Sequence, residues 1–140
     1  MSRPTPNWQP LSMLPTFTKM VSAQLDEVET QLQSLRAAQK QPHVLDDYTV
    51  GRVLKVYGEQ QDFMWVYEAQ LERWQKESLS KTQRQQIEQM SQQLKQIKPR
   101  LSEILEIAED VKDKTIESIL GKSDEALLQE ILSGNIPPPG

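Results

Sequence analysis

The stretch Val50–Trp74, VGRVLKVYGEQQDFMWVYEAQLERW, decides the fold. Val50, Val53, Tyr57, Gln60, Met64, Tyr67, Leu71 and Trp74 recur at alternating steps of three and four, which places them along one side of an α-helix. The neighbours are not uniformly polar. Val56, Phe63, Trp65 and Val66 point elsewhere, and Phe63 to Tyr67 is an unbroken apolar and aromatic run. A helix greasy on more than one side must be covered on more than one side, so this segment reads as the central member of a helical bundle. Gly51 and Gly58 lie seven apart on nearly one face. Each costs roughly 1 kcal/mol of helix propensity relative to alanine, and the expected reason is close approach of a neighbouring backbone.

Upstream, Phe17, Val21, Leu25, Val28, Leu32 and Leu35 form a stripe that predicts a helix over residues 16–40, stopped by Pro42. Asp46 or Asp47 is placed to cap the second helix. Downstream, Ser80 followed three residues later by Gln83 is a capping-box signature. The turn before it is short, so the third helix folds back beside the second. Its stripe is Ile87, Met90, Leu94, Ile97, Leu101, Ile104, Ala108 and Val111, and Pro99 falls within it. A proline normally divides a helix, yet the stripe keeps its phase across this one. The reading is one long helix, kinked near Lys95 to Pro99. Beyond it, Gly121 is a C-cap, and Ser123 opens a short last helix with Leu127, Leu128, Ile131 and Leu132, folded back over the end of the third. The fold class is therefore all-α, an up-and-down helical bundle of three long helices plus a short C-terminal one. Residues 1–15 form a proline-containing N-terminal arm, 16–134 the bundle domain, and 135–140 a proline-rich tail.

At 140 residues the chain supports one domain with a real core. A formal net charge of -4 argues against a dedicated nucleic-acid binder, which needs a positive field. The absence of cysteine excludes disulfides, thiol nucleophiles and thiolate metal sites. No N-terminal apolar run reads as a secretory signal, and no segment approaches the roughly 18 apolar residues that a bilayer span needs. The expectation is a protein without a membrane span, located in the cytoplasm. Eighteen glutamines read as decoration of solvated helix faces.

The best catalytic-looking feature is an acidic face, Glu103, Glu106, Asp110 and Asp113, at three-four-three spacing. Such carboxylates can hold Mg²⁺ in an all-helical hydrolase of a phosphorylated small molecule, with Glu103, Glu106 and Asp110 as ligands, provided a second acidic helix lies opposite. Asp26, Glu27 and Glu29 are the only offer. His43 stands alone, without the Glu-x-x-His pairs of a di-iron bundle, and the serines lack a histidine base. No catalytic, cofactor-binding or metal-binding residue is assigned.

The aromatics at helical spacing read as core, with three tryptophans held back as protein-interaction candidates. These are Trp65, which is off the main stripe, Trp74, and Trp8 among the N-terminal prolines. Trp8 belongs either to an arm packed back on the bundle or to a segment that docks a partner. Glu72 to Arg100 carries seven basic and three acidic residues, and Leu101 to Leu120 six acidic and two basic. A helix divided in this way is complementary to itself when antiparallel. A third stripe of this length also asks for more cover than one compact chain supplies. The functional expectation is a non-enzymatic helical interaction protein (an adaptor, assembly factor or regulatory subunit) that binds a protein partner or forms a homodimer and uses no cofactor. Weak nucleic-acid binding through Glu72 to Arg100 is the remaining alternative.

Overall fold

The structure is a computed structural model, and it describes residues 6–116. Three helices, α1 (Leu14–Gln39), α2 (Asp47–Gln75) and α3 (Lys81–Val111), run up, down and up. Short 3-10 turns occupy Leu11–Met13, Pro42–Val44 and Lys112–Lys114, and no strand occurs among the described residues. The expected last helix and proline-rich tail lie outside the described residues.

Local chemistry sets the boundaries. Pro15 sits in the first turn of α1, where its fixed φ suits the helix and its missing N–H removes no bond. Asp46 caps α2, its Oδ1 accepting the Thr49 backbone N–H at 2.7 Å. At α3 the capping box closes in both directions. The Gln83 N–H donates to Ser80 Oγ at 3.1 Å, and the Ser80 N–H donates to Gln83 Oε1 at 2.9 Å. α3 then continues unbroken through Pro99. The proline ring lies on the exposed side of the helix, and in the same turn Arg100 Nη1 donates to the Gln96 carbonyl at 2.8 Å.

The core follows the three stripes. All eight predicted positions of α3 are buried, with Ile107 added. From α1, Val21, Val28, Leu32 and Leu35 are buried, and from α2, Val50, Val53, Tyr57, Met64, Leu71 and Trp74. A fully buried aliphatic side chain of this kind contributes about 1.5–3 kcal/mol. The ion pairs that flank the core, Arg36 with Glu103, Arg100 with Glu29 at 3.3 Å and Lys98 with Glu68 at 2.9 Å, join exposed or half-exposed side chains. Pairs of that kind contribute about 0–1 kcal/mol, so apolar burial holds the helices and the charges fix their register.

Two expectations are corrected here. The central helix is α3, which packs closely against both α1 and α2, whereas the backbones of α1 and α2 scarcely approach each other. Its buried row is wide as well as long, because Ile104, Ile107, Ala108 and Val111 cover two adjacent lines of the helix. The stripe is also not too long for one chain: α3 ends at Val111, and α1 and α2 bury it from both sides. α2 remains incompletely covered, and Phe63 is half-exposed.

α1 and α2 meet through long side chains. The Phe17 ring stands edge-on to Trp74 at 5.2 Å and to Tyr67 at 6.2 Å, and Gln24 Nε2 donates to Gln60 Oε1 at 3.1 Å. At the far end of the bundle the chain leaving α3 is clasped to the α1–α2 link. The Ile116 N–H donates to the Leu45 carbonyl at 2.8 Å, and the hydroxyl of the buried Thr115 donates to Asp47 Oδ1.

Candidate interaction surfaces

The N-terminal arm packs back on the bundle through main-chain hydrogen bonds. The Gln9 N–H donates to Gln70 Oε1 at 2.8 Å, and Gln70 Nε2 returns a bond to the Gln9 carbonyl at 3.3 Å. The same carbonyl accepts Trp74 Nε1–H at 3.1 Å. Gln70 is buried, so this two-way amide pairing supplies the hydrogen bonds that its desolvated side chain requires. Trp74 has no accessible surface, and its ring and its N–H are both engaged within the chain. Trp8 is partly buried, with the Arg73 guanidinium 4.6 Å from its ring centroid, a cation–π stack that holds the arm against α2.

Trp65 is partly buried on a different face. With Gly51 and Gly58 it makes a row at intervals of seven, which drifts only about 20° per step around an α-helix. The expectation of a neighbour pressed against the glycines is overturned. A Cβ added at Gly51 or at Gly58 would meet nothing within 4 Å among the described residues. The propensity cost of the two glycines is therefore not offset by packing inside the described bundle.

A second apolar feature follows the seam between α1 and α2. From the buried Trp74 a chain of edge-on rings passes through Phe17 and Tyr67 to Phe63, 5.6 Å beyond. Phe63 is 50% exposed, and Met20, one turn beyond Phe17 on α1, is 47% exposed. Burial raises the Tyr67 pKa. At Tyr57, on the same seam, burial together with the adjacent Glu27 carboxylate pushes the phenol up to about 12. Its hydroxyl donates to Glu27 Oε1 at 3.3 Å.

On the acidic face of α3, Glu103 and Asp110 have basic and amide partners. Glu103 pairs with Arg36, and Glu109 with Lys112 at 2.6 Å. Asp110 accepts from Gln39 at 3.1 Å and lies 3.4 Å from Lys114; these two groups hold its carboxyl below the usual range. On the opposing helix Glu29 pairs with Arg100. Among the described residues no three His, Asp or Glu side chains gather to hold a metal ion. The charge division of α3 is likewise used in part within the chain, since Lys98, Arg100 and Glu103 pair with α1 and α2. His43 sits in the Pro42–Val44 turn, and its Nδ1 has no hydrogen-bond partner among the described residues.

Gln9, Gln70, Thr115 and Phe17 were not singled out as functional positions by the sequence. Only Phe17, on the α1 stripe, carried a signal. A glutamine that answers a main-chain amide has the same sequence pattern as one facing water. Along the described residues no helix is long and apolar enough to cross a membrane. No protein-family model, curated protein or solved structure matches the chain significantly. What stands is the class: an all-α, up-and-down three-helix bundle with α3 at its centre.

Proposed function

We propose that the chain is a non-enzymatic interaction protein that pairs along the outer face of α2, and that the helix received there is α2 of a second copy. The observation that supports this most directly is the open space in front of Gly51 and Gly58. Two mid-helix glycines weaken α2 without a packing return among the described residues. Their bare backbone would let a second helix axis approach toward the short end of the usual range of about 8–10 Å. Trp65 continues the row and supplies the large, rigid surface that such contacts use.

The pairing suits two copies related by a two-fold axis, in which each surface meets itself. Antiparallel α2 helices centred between Phe63 and Met64 set Gly58 opposite Ala69 and Lys55 opposite Glu72. Small residues then face small, and positive faces negative. Lys55 and Glu72 are exposed, so their pairing would add about 0–1 kcal/mol and fix direction, while burial at Trp65 held the contact. Replacing Trp65 with Ala tests this through equilibrium sedimentation beside denaturant unfolding. Association should weaken at least tenfold, about 1.4 kcal/mol, with a smaller loss of fold stability. A cooperative loss of the fold with unchanged association per folded molecule would place Trp65 in the core instead.

A further inference from the structure

The bonds that fasten Gln9 to α2 read main chain. Gln70 accepts the Gln9 N–H and donates to the Gln9 carbonyl, and the Trp74 indole N–H donates to the same oxygen. The Gln9 side chain turns back on the arm instead, its Nε2 donating to the Asn7 carbonyl at 3.0 Å. Any residue with a backbone N–H can therefore occupy this position. Side chains are read on either side of it. The Arg73 guanidinium stacks on the ring of Trp8, and Pro10, at φ -70° and ψ 158°, holds polyproline-like backbone. A residue before a proline is itself confined to extended backbone. The pattern recognised is aromatic, any residue, proline.

The receiving side is built independently of the arm. Gln70, Arg73 and Trp74 stand at i, i+3 and i+4 on one side of α2, and the Trp74 ring is positioned by Phe17 of α1. The arm is held more lightly. None of residues 6–10 is buried. A cleft of about 390 Å³ is left beside the arm, lined by Trp8, Gln9, Lys76 and Glu77 with the three α2 residues.

We infer that Gln70, Arg73 and Trp74 form a docking site for an extended aromatic-x-Pro segment of another protein, and that the chain's own arm holds this site closed in cis. Extended proline-containing segments are well suited to such sites, because their stiff backbone has little entropy to lose on binding. A segment with larger side chains than the arm can also fill the cleft that the arm leaves. The arm of a second copy is a poor source. Leu11 and Met13 follow Pro10 directly and pack against the core, so the arm has no slack with which to reach a neighbour. Gln70 lies about 140° around α2 from Trp65, and the inference does not rest on the pairing proposed for the outer face.

A fluorescently labelled peptide of residues 6–12, PNWQPLS, is the probe, and anisotropy with the full-length chain is the readout. Trp8→Ala combined with Gln9→Pro removes from the arm both its ring and the N–H that Gln70 accepts, which opens the site. The opened variant should bind the peptide saturably. The natural chain should bind it more weakly by roughly tenfold or more, because its own arm competes. Gln70→Ala added to the opened variant should weaken binding by a similar factor, and so should N-methylation of the peptide at its glutamine amide. Circular dichroism first checks that each variant is helical. No saturable binding to the opened variant, equal affinity for the natural chain, or binding that Gln70→Ala and N-methylation leave unchanged would overturn the inference. A mixed dimer of natural and opened chains in sedimentation, without binding of free peptide, would assign the site to a second copy and overturn it as well.

Discussion

Tyr57 joins α1 to α2 through a buried ring whose hydroxyl reaches Glu27, and its pKa stands at about 12 against an ordinary value near 10. The fold therefore favours the neutral phenol more than the unfolded chain does. That contribution is full below about pH 10 and is lost as pH rises from about 10 to about 12. Tyr57→Phe should flatten the alkaline fall in stability while costing only about 0–1 kcal/mol near neutrality, as measured by urea unfolding across the alkaline range. Gln70 makes the opposite kind of prediction. Gln70→Ala strips both amide partners from Gln9, costs about 1–3 kcal/mol, and should bring hydrogen exchange at the Gln9 amide close to that of an unfolded chain. An unchanged rate would mean that Trp74 and the Trp8–Arg73 stack hold the arm without it. Tyr57 was legible as a core position because it lies on a stripe. Gln70 was not, because a buried amide and a solvated one look alike in a helix, and its partner is a main-chain group sixty-one residues away.

Among the elements, stripe periodicity identified the three helices, and cap chemistry placed the starts of α2 and α3 at Asp46 and Ser80. Phase also carried α3 correctly through Pro99, because the burial kept by an unbroken apolar line on both sides of the proline outweighs the hydrogen bond it removes. Pro99→Ala should then raise stability, on the order of 1–3 kcal/mol from propensity and the restored hydrogen bond. A marked loss on thermal unfolding would mean that the proline shapes α3 for its neighbours. The glycines of α2 yield a sharper expectation. With nothing within 4 Å of their absent Cβ atoms among the described residues, Gly51→Ala and Gly58→Ala should each stabilise the fold by about 0.5–1 kcal/mol. Sequence alone suggested a close neighbour for both, and the described residues do not provide one. The pattern of a single helix shows which faces are apolar but not which other helix will cover them. For the same reason α2, whose apolar residues spread around its circumference, looked more central than α3.

For the whole molecule, the three helices bury one continuous core, and two carboxylates of the acidic face that resembled a metal site, Glu103 and Asp110, are drawn into pairs with Arg36, Gln39 and Lys114. What the sequence could not rank was the surfaces. Periodicity set Trp65 apart as off the main stripe but said nothing of what would cover it or Trp8, and tertiary placement separates the three. Trp74 is enclosed, Trp8 ties down the arm, and Trp65 shares a row with two open glycines. The central claim is that α2 pairs with α2 of a second copy along that row. The most direct test is absolute mass by light scattering over a wide concentration series, for the natural chain and for Gly58→Leu. A Cβ at position 58 meets nothing within 4 Å among the described residues, and leucine favours the helix, so the variant should be at least as stable as the natural chain. The account predicts that the natural protein moves from the 16.2 kDa of one chain toward twice that mass as concentration rises, while Gly58→Leu stays near the mass of one chain. A natural chain that remains a monomer throughout, or a dimer that Gly58→Leu leaves intact, would contradict it.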